Sequence, residues 1–283
     1  MPVMDNTAKL DPPIIQSSPV QPVPDNGSCS ANTEDLTFSI GEGVQLFCRF
    51  FWAAPESPTI VYFHGWNEST DSLNVVAAYF TEAGINVFLT SQRGFGGSTG
   101  TSSLSSLVAD SRLQFSLAVE WLKAKGYSGA VVVMGRSLGS VPALEVVCNT
   151  PDLIKAVILE SAFCEITPFL KAIGAQLPLD GTFEKDGFSA LEIIAKIKVP
   201  TMIFHGARDG VVPVAQAEKL QAASAARNKQ FLIIPGADHN TVWKVGGKLY
   251  FQTIKGFIDT VCGVNTWRQR RRKLKDNPDG ATS

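Results

Sequence analysis

Ala130-Val131-Val132-Val133-Met134, then Gly135-Arg136-Ser137-Leu138-Gly139, then Ser140-Val141-Pro142-Ala143-Leu144-Glu145-Val146-Val147-Cys148: the reading of these nineteen consecutive residues decides the fold. The first five are apolar and mostly β-branched, the composition of a buried strand. The last nine read as a helix. Between them lies a five-residue turn with a serine at its apex. A turn this tight brings neighbouring backbone close and forces strained dihedrals, so side chains at positions 135 and 139 would clash. The turn pushes the Ser137 hydroxyl out beyond the end of the strand, where a base can reach it.

Outward from this stretch, strand and helix patterns alternate. Toward the N-terminus, Leu36 to Ile40 and Val44 to Trp52 read as strands around the turn Gly41-Glu42-Gly43, an antiparallel hairpin. Pro58 to His64 is a short apolar run, hence a buried strand. Asp71 to Ala83 has helical spacing, Ile85 to Thr90 is a strand, and Leu104 to Lys125 is a long helix with one apolar face. Toward the C-terminus, Ala156 to Glu160, Thr201 to His205 and Gln230 to Ile234 are strands, and a helix runs from about Tyr250 to Cys262. The alternation predicts an α/β domain over residues 29–264, with a mostly parallel central sheet, helices on both faces and an antiparallel edge. The segment 164–200 interrupts the rhythm with two short helices, Ile166 to Leu177 and Ser189 to Ile197. It is either a small cap or a long crossover. Residues 1–28, rich in Pro, Ser, Gln and Asn, read as a disordered arm.

A serine hydroxyl is a poor nucleophile at neutral pH and needs a base, itself oriented by an acid. The chain has three histidines. His64 and His205 each precede a glycine at a strand end and read as packed core-edge imidazoles. His239, in Pro235-Gly236-Ala237-Asp238-His239-Asn240, follows the last strand and is the expected base. Loops at the carboxyl ends of parallel strands are where such sheets place their sites. Asp209, in His205-Gly206-Ala207-Arg208-Asp209-Gly210, is the expected acid, with Glu160 and Asp238 as rivals. An oxyanion hole needs two backbone N–H groups. Leu138, after the serine, and Trp66, in Phe63-His64-Gly65-Trp66-Asn67, are placed to supply them.

In one order, then, the chain carries His64-Gly65-Trp66, Arg93-Gly94-Phe95-Gly96-Gly97-Ser98, Gly135-Arg136-Ser137-Leu138-Gly139, Gly206-Ala207-Arg208-Asp209 and Gly236-Ala237-Asp238-His239-Asn240. Over about residues 34–262 this set resembles the α/β-hydrolase superfamily. More narrowly, it is similar to the small-capped serine hydrolases grouped with serine aminopeptidase-like and acyl-protein thioesterase-like (depalmitoylase) domains. The resemblance implies Ser137 as nucleophile, His239 as base, Asp209 as acid, and Trp66 and Leu138 as oxyanion donors. With Phe163 and Phe169 joining Trp66 around the substrate, the expected activity is hydrolysis of a carboxylic ester or thioester. Amide or peptide cleavage uses the same chemistry, and a catalytically silent binding scaffold is the reading from another class. The chain departs from its relatives at Ser91, where they carry an acidic residue two before the arginine. An altered anchoring of that loop is expected.

The bulk composition narrows the partners. With 283 residues, 45% hydrophobic content and a net charge of -1, no global field favours nucleic acid. Five scattered cysteines without paired spacing argue against a metal site and a disulfide framework. No cofactor motif is present. The absence of an apolar leader or an 18-residue apolar run points to the cytoplasm. Residues 265–283 form a basic, flexible tail. Its cluster from Arg268 to Lys275 allows a weak contact with an anionic membrane. The expected partner is a small acyl ester, thioester or amide.

Overall fold

Glycines at both ends of the turn Gly41-Glu42-Gly43 let all three residues adopt positive φ, at 94°, 51° and 72°. The turn closes a hairpin of β1 (Thr33–Ser39) and β2 (Gln45–Phe51), paired in register from Thr33↔Phe51 to Ser39↔Gln45. The structure, a computed structural model, describes residues 32–66, 68–172 and 188–263. The N-terminal arm, the middle of the 164–200 segment and the basic tail lie outside the described residues.

The hairpin forms one edge of an eight-stranded sheet of order β1-β2-β4-β3-β5-β6-β7-β8. Its other members are β3 (Thr59–Phe63), β4 (Asn86–Thr90), β5 (Val131–Arg136), β6 (Ala156–Glu160), β7 (Thr201–Gly206) and β8 (Lys229–Ile234). β2 meets β4 antiparallel, and all pairs from β4 to β8 are parallel. β3 to β7 are near-continuous apolar runs because parallel strands are covered on both faces.

Alternate residues feed two cores. Val61, Phe63, Val133, Leu159 and Ile203 pack on α2 (Leu104–Ala124), α3 (Ser140–Asn149), α5 (Ala190–Ile194) and α6 (Val214–Ala223). Ile60, Tyr62, Val132, Met134, Ile158 and Phe204 pack on α1 (Asn74–Glu82) and α7 (Val242–Cys262). A short α4 (Thr167–Ala172) follows β6.

The chain goes from β3 outward to β4 and returns to β5 on the other side of β3. That reversal makes the β3–β5 boundary the topological switch point, where open α/β sheets hold their ligands beyond the strand ends. Two helices differ from the sequence reading. α6 is rich in alanine and glutamine and buries only Gln216, Ala217 and Leu220, so its periodicity is faint. α7 begins at Val242 rather than near Tyr250, because Gly246-Gly247 reads as a break. The break is real: Gly247 is non-helical (φ 50°, ψ -137°), and a short piece from Val242 meets the longer helix there at a kink. Among the described residues no helix is long and apolar enough to cross a membrane.

Candidate active site

β5 ends in a turn of one 3-10 helix, Ser137–Gly139, which runs directly into α3. Ser137 has φ +50°, a left-handed conformation that a serine adopts only when its surroundings enforce it. The enforcement is packing. A Cβ on Gly135 would lie 2.4 Å from the Gly139 carbonyl oxygen and 2.6 Å from the Ala143 Cβ. On Gly139 it would lie 2.1 Å from the Phe63 carbonyl oxygen, so the turn closes only with glycine at both positions. The amides opening this turn have no intrahelical acceptor. Leu138, wholly buried, contributes one of them.

The structure brings Ser137, His239 and Asp209 together. The Ser137 hydroxyl donates to His239 Nε2 at 2.9 Å, and His239 Nδ1–H donates to Asp209 Oδ2 at 2.8 Å. An ionised carboxylate can only accept, which fixes the proton on Nδ1 and leaves Nε2 as the acceptor. Asp209 is held by its own loop: the Val211 and Val212 amides donate to Oδ1 at 3.0 and 2.7 Å. Burial alone would raise its pKa, but the His239 and Val212 hydrogen bonds bring it below the ordinary carboxylate value. Asp209 is therefore a carboxylate at neutral pH, available to stabilise an imidazolium. Burial pushes the thiol of Cys48 up to about 12 and that of Cys164 up to about 11. Neither thiol rivals Ser137 as a nucleophile.

The rival acids are occupied elsewhere. Glu160 accepts from Arg136 Nε at 3.1 Å and from the Tyr250 hydroxyl. Asp238 turns to its own loop, accepting from the Asn240 amide and the Thr241 hydroxyl. His205 was expected to be only a packed imidazole. Its Nε2–H donates to the Val212 carbonyl at 2.8 Å, but the same atom also lies 3.3 Å from Asp209 Oδ2. Asp209 thus stands between two histidines, a contact the sequence did not announce.

His64 is fully buried. Its Nδ1–H donates to the Gly65 carbonyl and its Nε2 accepts from the Gln92 amide. Around the departure at Ser91 the loop is tied by neutral groups. The Ser91 hydroxyl donates to the Phe95 carbonyl, the Ser98 hydroxyl to the Ser91 carbonyl, and the Gln92 side chain to the His64 carbonyl.

Burial holds both bystander histidines neutral. It lowers His205 below the ordinary 6.5 despite Val212 and Asp209, and lowers His64 despite Gly65 and Glu68. The unfolded chain takes up protons that these folded imidazoles refuse. Their contribution to stability is present above the unfolded value and lost as pH falls below it. The melting temperature is expected to drop as the pH is lowered from about 7.5 to about 5, and less steeply in His205→Gln. A flat profile in the wild-type protein would sink this account. The depressed Asp209 adds a second loss only in stronger acid, below 3.8.

The loop after β3, which carries Trp66, passes the serine at Gly65, where an added Cβ would lie 3.3 Å from the Ser137 Cβ. The Gly65 amide itself donates to Glu68 Oε2 at 2.7 Å. Trp66 meets Phe169 edge-on at 6.3 Å, and Phe169 stacks on Phe163 at 5.5 Å. The three expected pocket residues thus form one aromatic cluster. A separate groove of about 840 Å³ lies between α1 and α7, lined by Tyr79, Trp243 and Phe251 among others, and none of Ser137, His239 and Asp209 borders it.

Known proteins share this architecture. The chain is 31% identical over 245 residues to the α/β-hydrolase domain-containing protein WAV2 of Arabidopsis thaliana, covering 80% of this chain and 78% of that one. The Pyrococcus furiosus esterase Pf2001 superposes with a TM-score of 0.67 at 18% identity, over 81% of this chain and 92% of that one. Est1E of Butyrivibrio proteoclasticus, solved with ferulic acid bound, superposes at 0.65 and 18% identity, over 79% and 97%. The model of the serine aminopeptidase S33 family matches residues 54–179 and 187–243, well over half the chain, and the protein belongs to this family of α/β hydrolases.

Proposed function

We propose that this protein is a serine hydrolase of carboxylic esters or thioesters. The observation that carries the reading is the hydrogen-bonded chain from Ser137 through His239 to Asp209 at the switch point of the sheet. His239 Nε2 takes the hydroxyl proton as Ser137 Oγ attacks the acyl carbon. The Trp66 and Leu138 amides receive the negative charge that develops on the carbonyl oxygen. Protonated His239, steadied by Asp209, returns its proton to the leaving alcohol or thiol. Water activated by the same histidine then releases the acid from Ser137. The aromatic cluster of Trp66, Phe163 and Phe169 suits an acyl or aryl group.

The family's aminopeptidase name raises cleavage of an N-terminal peptide bond as a second reading. That reaction needs an anionic group to hold the substrate's ammonium. Among the described residues the acidic side chains of this edge are engaged: Asp209 by His239, Glu68 and Glu160 by Arg136, Asp238 by Thr241. This favours neutral acyl substrates.

Labelling with a fluorophosphonate, followed by peptide mapping, tests the reading. Modification is expected on Ser137 alone, together with turnover of p-nitrophenyl esters or acyl thioesters that exceeds turnover of aminoacyl anilides. A folded protein that takes up no label contradicts it and leaves the silent scaffold.

A further inference from the structure

The loop that carries His239 has far to reach. His239 follows β8, while Ser137 follows β5. Three strand spacings, about 14 Å, separate them. Something must hold a loop that crosses this distance to the accuracy proton transfer demands. The side chain of Arg136, the residue preceding the nucleophile, lies where it can.

Arg136 is 4% exposed, and its guanidinium spends its donors on three separate elements. Nη2 donates to the carbonyl of His239 itself at 2.6 Å and to Asn240 Oδ1 at 3.2 Å. Nη1 pairs with Glu68 Oε1 at 2.9 Å, and the other oxygen of Glu68 receives the Gly65 amide, next to Trp66. Nε pairs with Glu160 at the end of β6, and Glu160 also holds Tyr250 of α7. Burial works against the Arg136 charge, but Glu68 and Glu160 outweigh it and keep the guanidinium protonated.

Stability alone does not account for this cluster. Buried ion pairs lose about as much in desolvation as they gain, and apolar replacements are often neutral. What an apolar side chain could not do is aim five N–H groups in a fixed plane at partners from two loops and a strand end. Buried, and with its donors taken up by protein groups, the guanidinium is not placed to bind substrate.

Resting on the hydrolase reading above, we infer that Arg136 is a positioning residue that sets the His239 loop and the Trp66 loop together from the nucleophile's own strand. The three reacting parts then share one reference point. A shift of the serine's turn carries the base and the oxyanion donors with it.

The test uses the full-length protein with Arg136→Lys and Glu68→Ala. It reads kcat and KM on p-nitrophenyl butyrate, and amide hydrogen exchange in residues 64–69 and 236–241. Lysine keeps a charge beside Glu160 but offers a point cation in place of a fork. Arg136→Lys is expected to lower kcat by on the order of 10²-fold, as a misplacement of about 1 Å does, with KM changed less than about 3-fold. Exchange should rise in both segments together and stay unchanged in β5 and β6. Glu68→Ala leaves the Arg136–Glu160 pair in place and so retains the fold. It should loosen 64–69 alone and lower kcat less.

A wild-type kcat in Arg136→Lys with both segments still protected overturns the inference. So does a rise in exchange spread through the whole sheet, which would mark a purely structural ion pair. If the wild-type protein hydrolyses no ester and yet both segments loosen together in Arg136→Lys, the hydrolase reading fails while the positioning contact stands.

Discussion

Ser137→Ala is expected to lower kcat for ester hydrolysis by on the order of 10⁴ to 10⁶-fold and to abolish fluorophosphonate labelling, while leaving the melting temperature within a few degrees of wild type. The size of the loss follows from the division of labour. Without Oγ there is no covalent intermediate, and His239 has no proton to take. On the proposed mechanism the amides of Trp66 and Leu138 remain, so a residual rate from oxyanion stabilisation is expected. The small effect on stability also follows from the site. Ser137 is 2% exposed, and its hydroxyl's bond to His239 is the contact removed. Alanine would still sit at φ +50°, a strained conformation that serine already tolerates there. The measurement is a pair, kcat and thermal melt on the same preparation. Activity falling less than about 10-fold would remove Ser137 from the chemistry, whatever its geometry.

Much of the fold was legible because its central strands are short apolar runs bounded by glycine or polar residues, with helical spacing between them. The Ser137, Asp209 and His239 positions were legible for a different reason. Only three histidines exist to choose from, and each strand-end loop carries its own short motif. What stayed hidden depends on sheet order, which one sequence does not reveal. Glu160 reads as a possible acid until the pairing of β5 with β6 places it directly beside Arg136. It then becomes a counter-ion. Arg136 lies inside the most informative pentapeptide, yet its role depends on Glu68, Glu160 and His239, from 24 to 103 residues away. The contact of His205 with Asp209 was hidden differently. The two are four residues apart, but the turn that folds one back on the other is not encoded as a periodic pattern. At α7 the local rule held: Gly246-Gly247 interrupts the helix at Gly247, and what stayed unread is the short helical piece from Val242 that precedes it.

The turn that carries Ser137 should also be the most fragile point of the fold, and Gly139→Ala is the substitution that exposes it. Alanine adds one methyl group, which in an exposed helix would stabilise by about 1 kcal/mol. Here the added Cβ would lie 2.1 Å from the Phe63 carbonyl oxygen, 2.6 Å from the His64 carbonyl oxygen and 2.6 Å from the Phe63 carbonyl carbon. All three are backbone atoms at the end of β3, and β3 is locked between β4 and β5 by parallel pairing on both sides. No rotamer change relieves the contact. Either α3 withdraws from the sheet or the loop carrying Trp66 is displaced. Withdrawal opens the core around Leu138, Val141 and Leu144, all wholly buried. Overpacking against rigid backbone belongs to the severe tail of single substitutions, about 4 kcal/mol or more, against a total stability of about 5 to 15 kcal/mol. The expected result is a protein that melts more than about 10 °C lower or fails to accumulate in soluble form, with no ester hydrolysis at any temperature. Gly210→Ala is the matched control, since a Cβ there meets nothing within 4 Å. It should leave both stability and activity close to wild type. A Gly139→Ala protein with native stability and native kcat would mean that the turn can relax without moving β3, and that the serine's strained backbone is not what the two glycines are there to permit.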